Sequence, residues 1–131
     1  MSDNLQNVLD CSLDLIAELK EYILASKKIN AVKEPSQMDI VVSEEMSKLT
    51  VKLTSSISWL FLYKALQNKE ITPDTLIEEG NALIETLGKP GADKDIIEEM
   101  PENFVAICSQ AEGLYGKVRE MHKELIKNTL N

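Results

Sequence analysis

His122 is the only histidine in the 131-residue chain, so no site that needs two imidazoles can be built from it. It adjoins Met121 near the end of a helical pattern, where an imidazolium would suit the negative end of the helix dipole, and a surface position is expected. Cysteine occurs only as Cys11 and Cys108, far apart in the chain. Each lies beside a core-facing position, which predicts small buried thiols rather than a disulfide framework. Glu44-Glu45, Glu78-Glu79 and Glu98-Glu99 are carboxylate neighbours. Adjacent residues on a helix point about 100° apart, so these pairs do not converge on one substrate. The Glu-x-x-His motif of di-iron bundles is missing, and the five glycines are scattered without a phosphate-binding loop. These residues point away from catalysis, a bound metal or a cofactor.

The other conspicuous cluster is apolar. Ser58-Trp59-Leu60-Phe61-Leu62-Tyr63 holds the only tryptophan. On a helix, Leu49, Leu53, Ile57 and Leu60 share one side, while Trp59, Leu62 and Leu66 form a second stripe about 140° away. A helix with two apolar faces is either wedged inside a core or shared with a partner. Tryptophan and tyrosine are common binding hot spots, so Trp59, Leu62, Tyr63 and Leu66 are the candidate self-association or partner face.

Three segments must position this cluster. Leu5, Leu9, Ser12, Ile16, Leu19, Ile23 and Ser26 follow alternating steps of four and three, broadened by Val8, Leu15 and Tyr22. Ser2 or Asp3 can cap this helix, which fades near Asn30, before Glu34-Pro35-Ser36. Val42, Met46, Leu49, Leu53, Ser56 and Leu60 repeat the pattern, with Asp39 or Ser43 as cap and Gln67-Asn68-Lys69 as the end. Phe104, Ile107, Ala111, Leu114, Val118, Met121 and Leu125 form the third, with Pro101 in its first turn and the Tyr115 ring tucked into the core. Thr72-Pro73-Asp74 starts a shorter helix through Leu76, Ile77, Leu83, Ile84 and Leu87, weakened by Gly80. Gly88-Lys89-Pro90-Gly91 breaks it, a mobile loop is expected over 88–95, and Asp95 to Met100 could add one turn. The predicted fold is all-α: an antiparallel bundle of three long helices with a short fourth helix in the last connection, one domain over residues 1–131. Small residues at core positions (Ser12, Ser26, Ser56, Ala111) bury little, which dimerisation would offset.

Charge narrows the partners. The chain carries net −8, and residues 70–102 hold ten acids against Lys89 and Lys94, leaving twelve acids and twelve bases elsewhere. Glu78, Glu79, Glu85, Asp93, Asp95, Glu98 and Glu99 are the candidate acidic docking patch for a basic partner. Arg119 is the only arginine and there is no basic stripe, so direct nucleic-acid binding is not expected. A polar N-terminus with Asp3 and Asn4, and no apolar run of membrane-spanning length, predict a cytoplasmic protein without membrane association.

Leu49-Thr50, Leu53, Ser58-Trp59-Leu60, Ala65 and Glu70-Ile71-Thr72, together with Pro101 and Glu112-x-Leu114-Tyr115-x-x-Val118, resemble the family of the regulator of CtrA degradation from alphaproteobacteria. Ser12-Leu13 and Tyr22 extend the likeness into the first helix. The resemblance implies a small, commonly dimeric helical bundle without catalytic activity. It further implies an adaptor that presents cell-cycle regulatory proteins such as CtrA to the ClpXP protease, joining an unfoldase already primed by a single-domain response regulator. One departure is Tyr63-Lys64, where family members often carry a glutamine–arginine pair; lysine cannot reproduce the planar arginine fork. The expectation is therefore a homodimeric, non-enzymatic proteolytic adaptor. A scaffolding bundle with no role in proteolysis shares every feature read from the residues, and a small-molecule or metal sensor is the remote third reading.

Overall fold

The computed structural model describes residues 2–30, 37–89 and 100–130, the side chains of 2–4, 26–30, 38 and 130 excepted. Among the described residues four helices follow in order: α1 (Ser2–Asn30), α2 (Gln37–Gln67), α3 (Pro73–Leu87) and α4 (Glu102–Leu130). No strand occurs among the described residues. Helices α1, α2 and α4 have 29, 31 and 29 residues, whereas α3 has 15. The expected cap side chains of α1, the Glu34-Pro35-Ser36 break, Ser26, and residues 90–99 of the last connection lie outside the described residues.

Local chemistry explains four of the helix ends. Thr72 caps α3: its Oγ1 accepts the Thr75 N–H at 3.2 Å, and Pro73 follows at the first helical position. At the end of α2 the Lys69 N–H donates to the Leu66 carbonyl (3.0 Å) and the Glu70 N–H to the Ala65 carbonyl (2.9 Å). That pair is a Schellman closure, and it requires Lys69 to adopt φ 63°, a left-handed conformation usually left to glycine. Helix α2 begins earlier than its expected caps, at Gln37, so Asp39 lies inside the first turn, where its carboxylate meets the positive end of the dipole. Pro101 precedes α4 rather than entering it. Its carbonyl accepts the Phe104 and Val105 N–H groups at 3.0 and 3.1 Å, closing the first turn from outside.

The three repeating patterns are the core. Leu5, Leu9, Ser12 and Leu19 of α1, Val42, Met46, Leu49, Leu53, Ser56 and Leu60 of α2, and Phe104, Ile107, Ala111, Leu114 and Val118 of α4 are buried. Ser12 satisfies its hydroxyl by donating to the Val8 carbonyl at 2.7 Å; the buried Ser56 Oγ has no partner among the described residues. Helices α2 and α4 each pack against both α1 and α3. That explains the two apolar stripes of α2: the helix is wedged among three neighbours rather than resting on one.

The direction of α2 relative to α4 follows from two contacts. Lys52 meets Tyr115, and seven residues further along both helices Trp59 meets His122. The rungs advance in the same sense, so α2 and α4 are parallel, and the expected antiparallel relation does not describe this pair. The intervening α3 is the cause. It carries the chain back along the bundle, so that α4 starts from the same end as α2.

Candidate functional site

Glu45, Lys52, Trp59 and Leu66 recur every seven residues along α2, and Cys108, Tyr115 and His122 recur likewise along α4. Seven residues make almost two full turns, so each set forms one ladder along its helix. Together they form a polar seam flanking the leucine core. Lys52 is 7% exposed; its Nζ donates to the Lys89 carbonyl at 2.6 Å and lies 5.6 Å from the centre of the Tyr115 ring. A buried ammonium is costly unless bonded, and here a carbonyl just beyond α3 and an aromatic face share it. The Tyr115 hydroxyl donates at long range, 3.5 Å, to the Leu49 carbonyl. Burial pushes its phenol well above the usual tyrosine range, with a smaller push from Glu112, so it stays protonated.

The next rung is the most constrained place in the chain. Trp59 is fully buried, and its Nε1–H donates to His122 Nδ1 at 3.0 Å. An indole nitrogen has no acceptor capacity, so Nδ1 must be unprotonated. The ring proton then sits on Nε2, which donates to Asn81 Oδ1 at 2.9 Å. Trp59 also stacks on Tyr63, with ring centres 5.3 Å apart, and meets the His122 ring edge-on at 5.9 Å. Burial holds the His122 pKa below its ordinary value. Gly80 lets α3 approach this pair. A Cβ there would stand 3.0 Å from His122 Cε1 and from Trp59 Nε1, and 3.1 Å from Trp59 Cδ1.

Several sequence expectations are corrected by this geometry. His122 is not a surface histidine; only 3% of it is exposed, because the seven-residue ladder, not the Met121 stripe, sets its direction. Trp59 is not available to a partner while α3 covers it. Leu62, Tyr63 and Leu66 are half-buried and pack against the core. Cys11 is exposed, since the narrow α1 stripe ends at its neighbour Ser12, and Cys108 is half-buried; both are free thiols. Of the acidic patch, Glu78, Glu79 and Glu85 are exposed on α3, whereas Asp93, Asp95, Glu98 and Glu99 lie outside the described residues.

Beside the Lys52 rung, a cleft of about 380 Å³ opens between α2 and α4, floored by Leu49, Phe104, Cys108 and Tyr115. Burial, then Glu45 and Glu112, push the Cys108 thiol up to about 11, so at neutral pH it is a protonated thiol and a poor nucleophile. No group of three or more histidine, cysteine or acidic side chains among the described residues could hold a metal ion. No helix of the described residues is long and apolar enough to cross a membrane.

What the cluster reading of Trp59 missed lies on the other side of α2. Ser47, Val51, Thr54, Ser58, Phe61 and Ala65 follow steps of four and three and include no charged residue. Val51 is 56% and Phe61 52% exposed, and Ser58 and Ala65 are half-buried. The alternating spacing was legible as a further seam, hidden because serine and threonine occupy half of it. Likewise Gly80, a glycine inside a helix, was the available signal for close approach to Trp59 and His122.

The fold and its features define an all-helical bundle with a covered Trp–His node and an uncharged outward seam. The chain belongs to the family described as "Protein of unknown function (DUF1465)", whose model matches residues 1–131. No curated protein and no solved structure matches it.

Proposed function

We propose that this protein is a non-enzymatic adaptor that helps deliver cell-cycle regulators such as CtrA to the ClpXP protease, acting in the cytoplasm as a homodimer. The observation that carries the reading is the outward seam of α2, Ser47 through Ala65, with Val51 and Phe61 open to solvent. A heptad-spaced, charge-free face on a long helix suits pairing with another helix. In a chain of net −8, an uncharged seam also adds no like-charge repulsion between two copies. The Ser58-Trp59-Leu60 resemblance supplies the class of partner. Tethering then does the work, because a bound adaptor raises the local concentration of cargo at the protease and weak contacts suffice. The exposed carboxylates of α3, with no basic residue in that helix, suit a basic partner, and such binding weakens with salt.

The test is reconstituted degradation: ClpXP, its priming response regulator and CtrA, with and without this chain, following loss of cargo. Faster loss that needs both the primer and this protein supports the adaptor reading. No change across several cargoes, with the bundle shown to be folded, returns the protein to the scaffolding alternative. Val51→Glu with Phe61→Glu is expected to halve the mass in light scattering while leaving helicity intact; an unchanged mass removes the outward seam as the pairing face.

A further inference from the structure

Helix α3 is the shortest of the described helices. It has 15 residues, with Leu76, Gly80 and Leu87 buried. Two polar ties add to these: the Lys89 carbonyl on Lys52, and Asn81 on His122. The second tie depends on a proton count. The described arrangement gives His122 one acceptor nitrogen facing Trp59 and one donor nitrogen facing Asn81.

We propose that the Trp59–His122–Asn81 relay is a proton-operated latch, in which neutral His122 holds α3 against α2 and α4 and protonation at Nδ1 releases α3 and uncovers Trp59. A proton on Nδ1 turns it from acceptor to donor, facing an indole N–H that can only donate. Two donors then oppose each other at 3.0 Å in a buried site, and the partners His122 has among the described residues, Trp59 and Asn81, carry no charge to pair with the new proton. Rotating the ring does not help, because it would take Nε2 away from Asn81 Oδ1. From α2 the node meets Trp59 and the Tyr63 ring stacked on it; from α3 it meets Gly80 and Asn81. The charged residues nearest along the chain, Lys64 on α2, Glu78, Glu79 and Glu85 on α3, and Arg119, Glu120, Lys123 and Glu124 on α4, are exposed.

The sign follows from linkage. With the folded pKa of His122 lowered below the ordinary value, the released state binds more protons than the docked one. Docking is therefore fully stabilised above the ordinary imidazole range and weakens as pH falls toward and through the lowered value. The opening equilibrium rises by up to about tenfold per pH unit across that window.

The experiment uses the full chain between about pH 7.5 and pH 5, the histidine range. His122 ring protons and the Trp59 indole N–H are followed by NMR, and α3 amides by hydrogen exchange. The expected result is one shared midpoint below the ordinary imidazole value, with the indole N–H signal losing its bonded shift and the amides of residues 76–87 losing protection together. His122→Gln, whose amide can accept from Trp59 and donate to Asn81 without titrating, should stay docked throughout. A His122 titration that leaves the indole signal and α3 protection unmoved overturns the latch, as does the same release in His122→Gln. If that variant does not fold, the wild-type NMR comparison alone decides.

Discussion

Replacing Gly80 by alanine tests whether the approach of α3 to the Trp–His node is as tight as the geometry requires. Inside a helix, glycine to alanine ordinarily gains about 1 kcal/mol by restricting the unfolded chain. Gly113 and Gly116 of α4 are the internal standards, because a Cβ at either would meet nothing within 4 Å. Gly80 differs: the added carbon would press on His122 and Trp59 at 3.0 Å. Neither ring is free to yield, since each holds the other through the Nε1–Nδ1 bond and Tyr63 and Asn81 hold them from outside. Overpacking of this kind costs about 1–3 kcal/mol, and breaking the buried bond adds roughly 1–3 kcal/mol for groups left unpaired. Set against the propensity gain, Gly80→Ala should lose about 3 kcal/mol, while Gly113→Ala and Gly116→Ala each gain about 0.5–1 kcal/mol. Urea unfolding followed by far-UV circular dichroism at a pH above the histidine range measures all three on one scale. Gly80→Ala stabilised to the same degree as Gly113→Ala would refute the close approach, and with it the buried node.

Other consequences can be checked independently. Lys69→Gly should stabilise the protein by about 1 kcal/mol, because the left-handed conformation at φ 63° costs a lysine roughly that much and glycine little; an unchanged urea midpoint would count against the Schellman closure. At pH 8 a disulfide reagent should label the exposed Cys11 promptly and the half-buried Cys108 far more slowly, since a thiol at about 11 leaves roughly one molecule in a thousand ionised. Equal labelling rates in the native protein would contradict the raised thiol of Cys108. Trp59→Phe should free His122 Nδ1 of its donor and so change the imidazole ¹⁵N shifts and tautomer balance; unmoved ring signals would break the link between the two rings.

Much of the fold was legible in the residues because the forces that set it are local or periodic. The repeats from Leu5 to Leu19, Val42 to Leu60 and Phe104 to Val118 mark the core-facing sides correctly, since a hydrophobic stripe can be satisfied only by burial. Thr72-Pro73 marks the start of α3, because capping needs only the residues that follow. The apolar surplus of the Trp59 segment was visible too, but not its resolution. A helix with two greasy faces reads the same whether a second copy or three neighbouring helices cover it.

Tertiary structure decided the rest. Lys52 and His122 look like surface residues by type; they are buried because each finds partners 37 to 63 positions away, in Lys89, Asn81 and Trp59. No local rule supplies a buried polar group's partner, and without one its burial would be prohibitive. The parallel run of α2 and α4 depends likewise on where α3 turns the chain back. The amino-acid sequence by itself determined which faces must leave water; only the packed helices determined which polar atoms could follow them inside, because a hydrogen bond between distant residues exists only once the chain has brought both ends together.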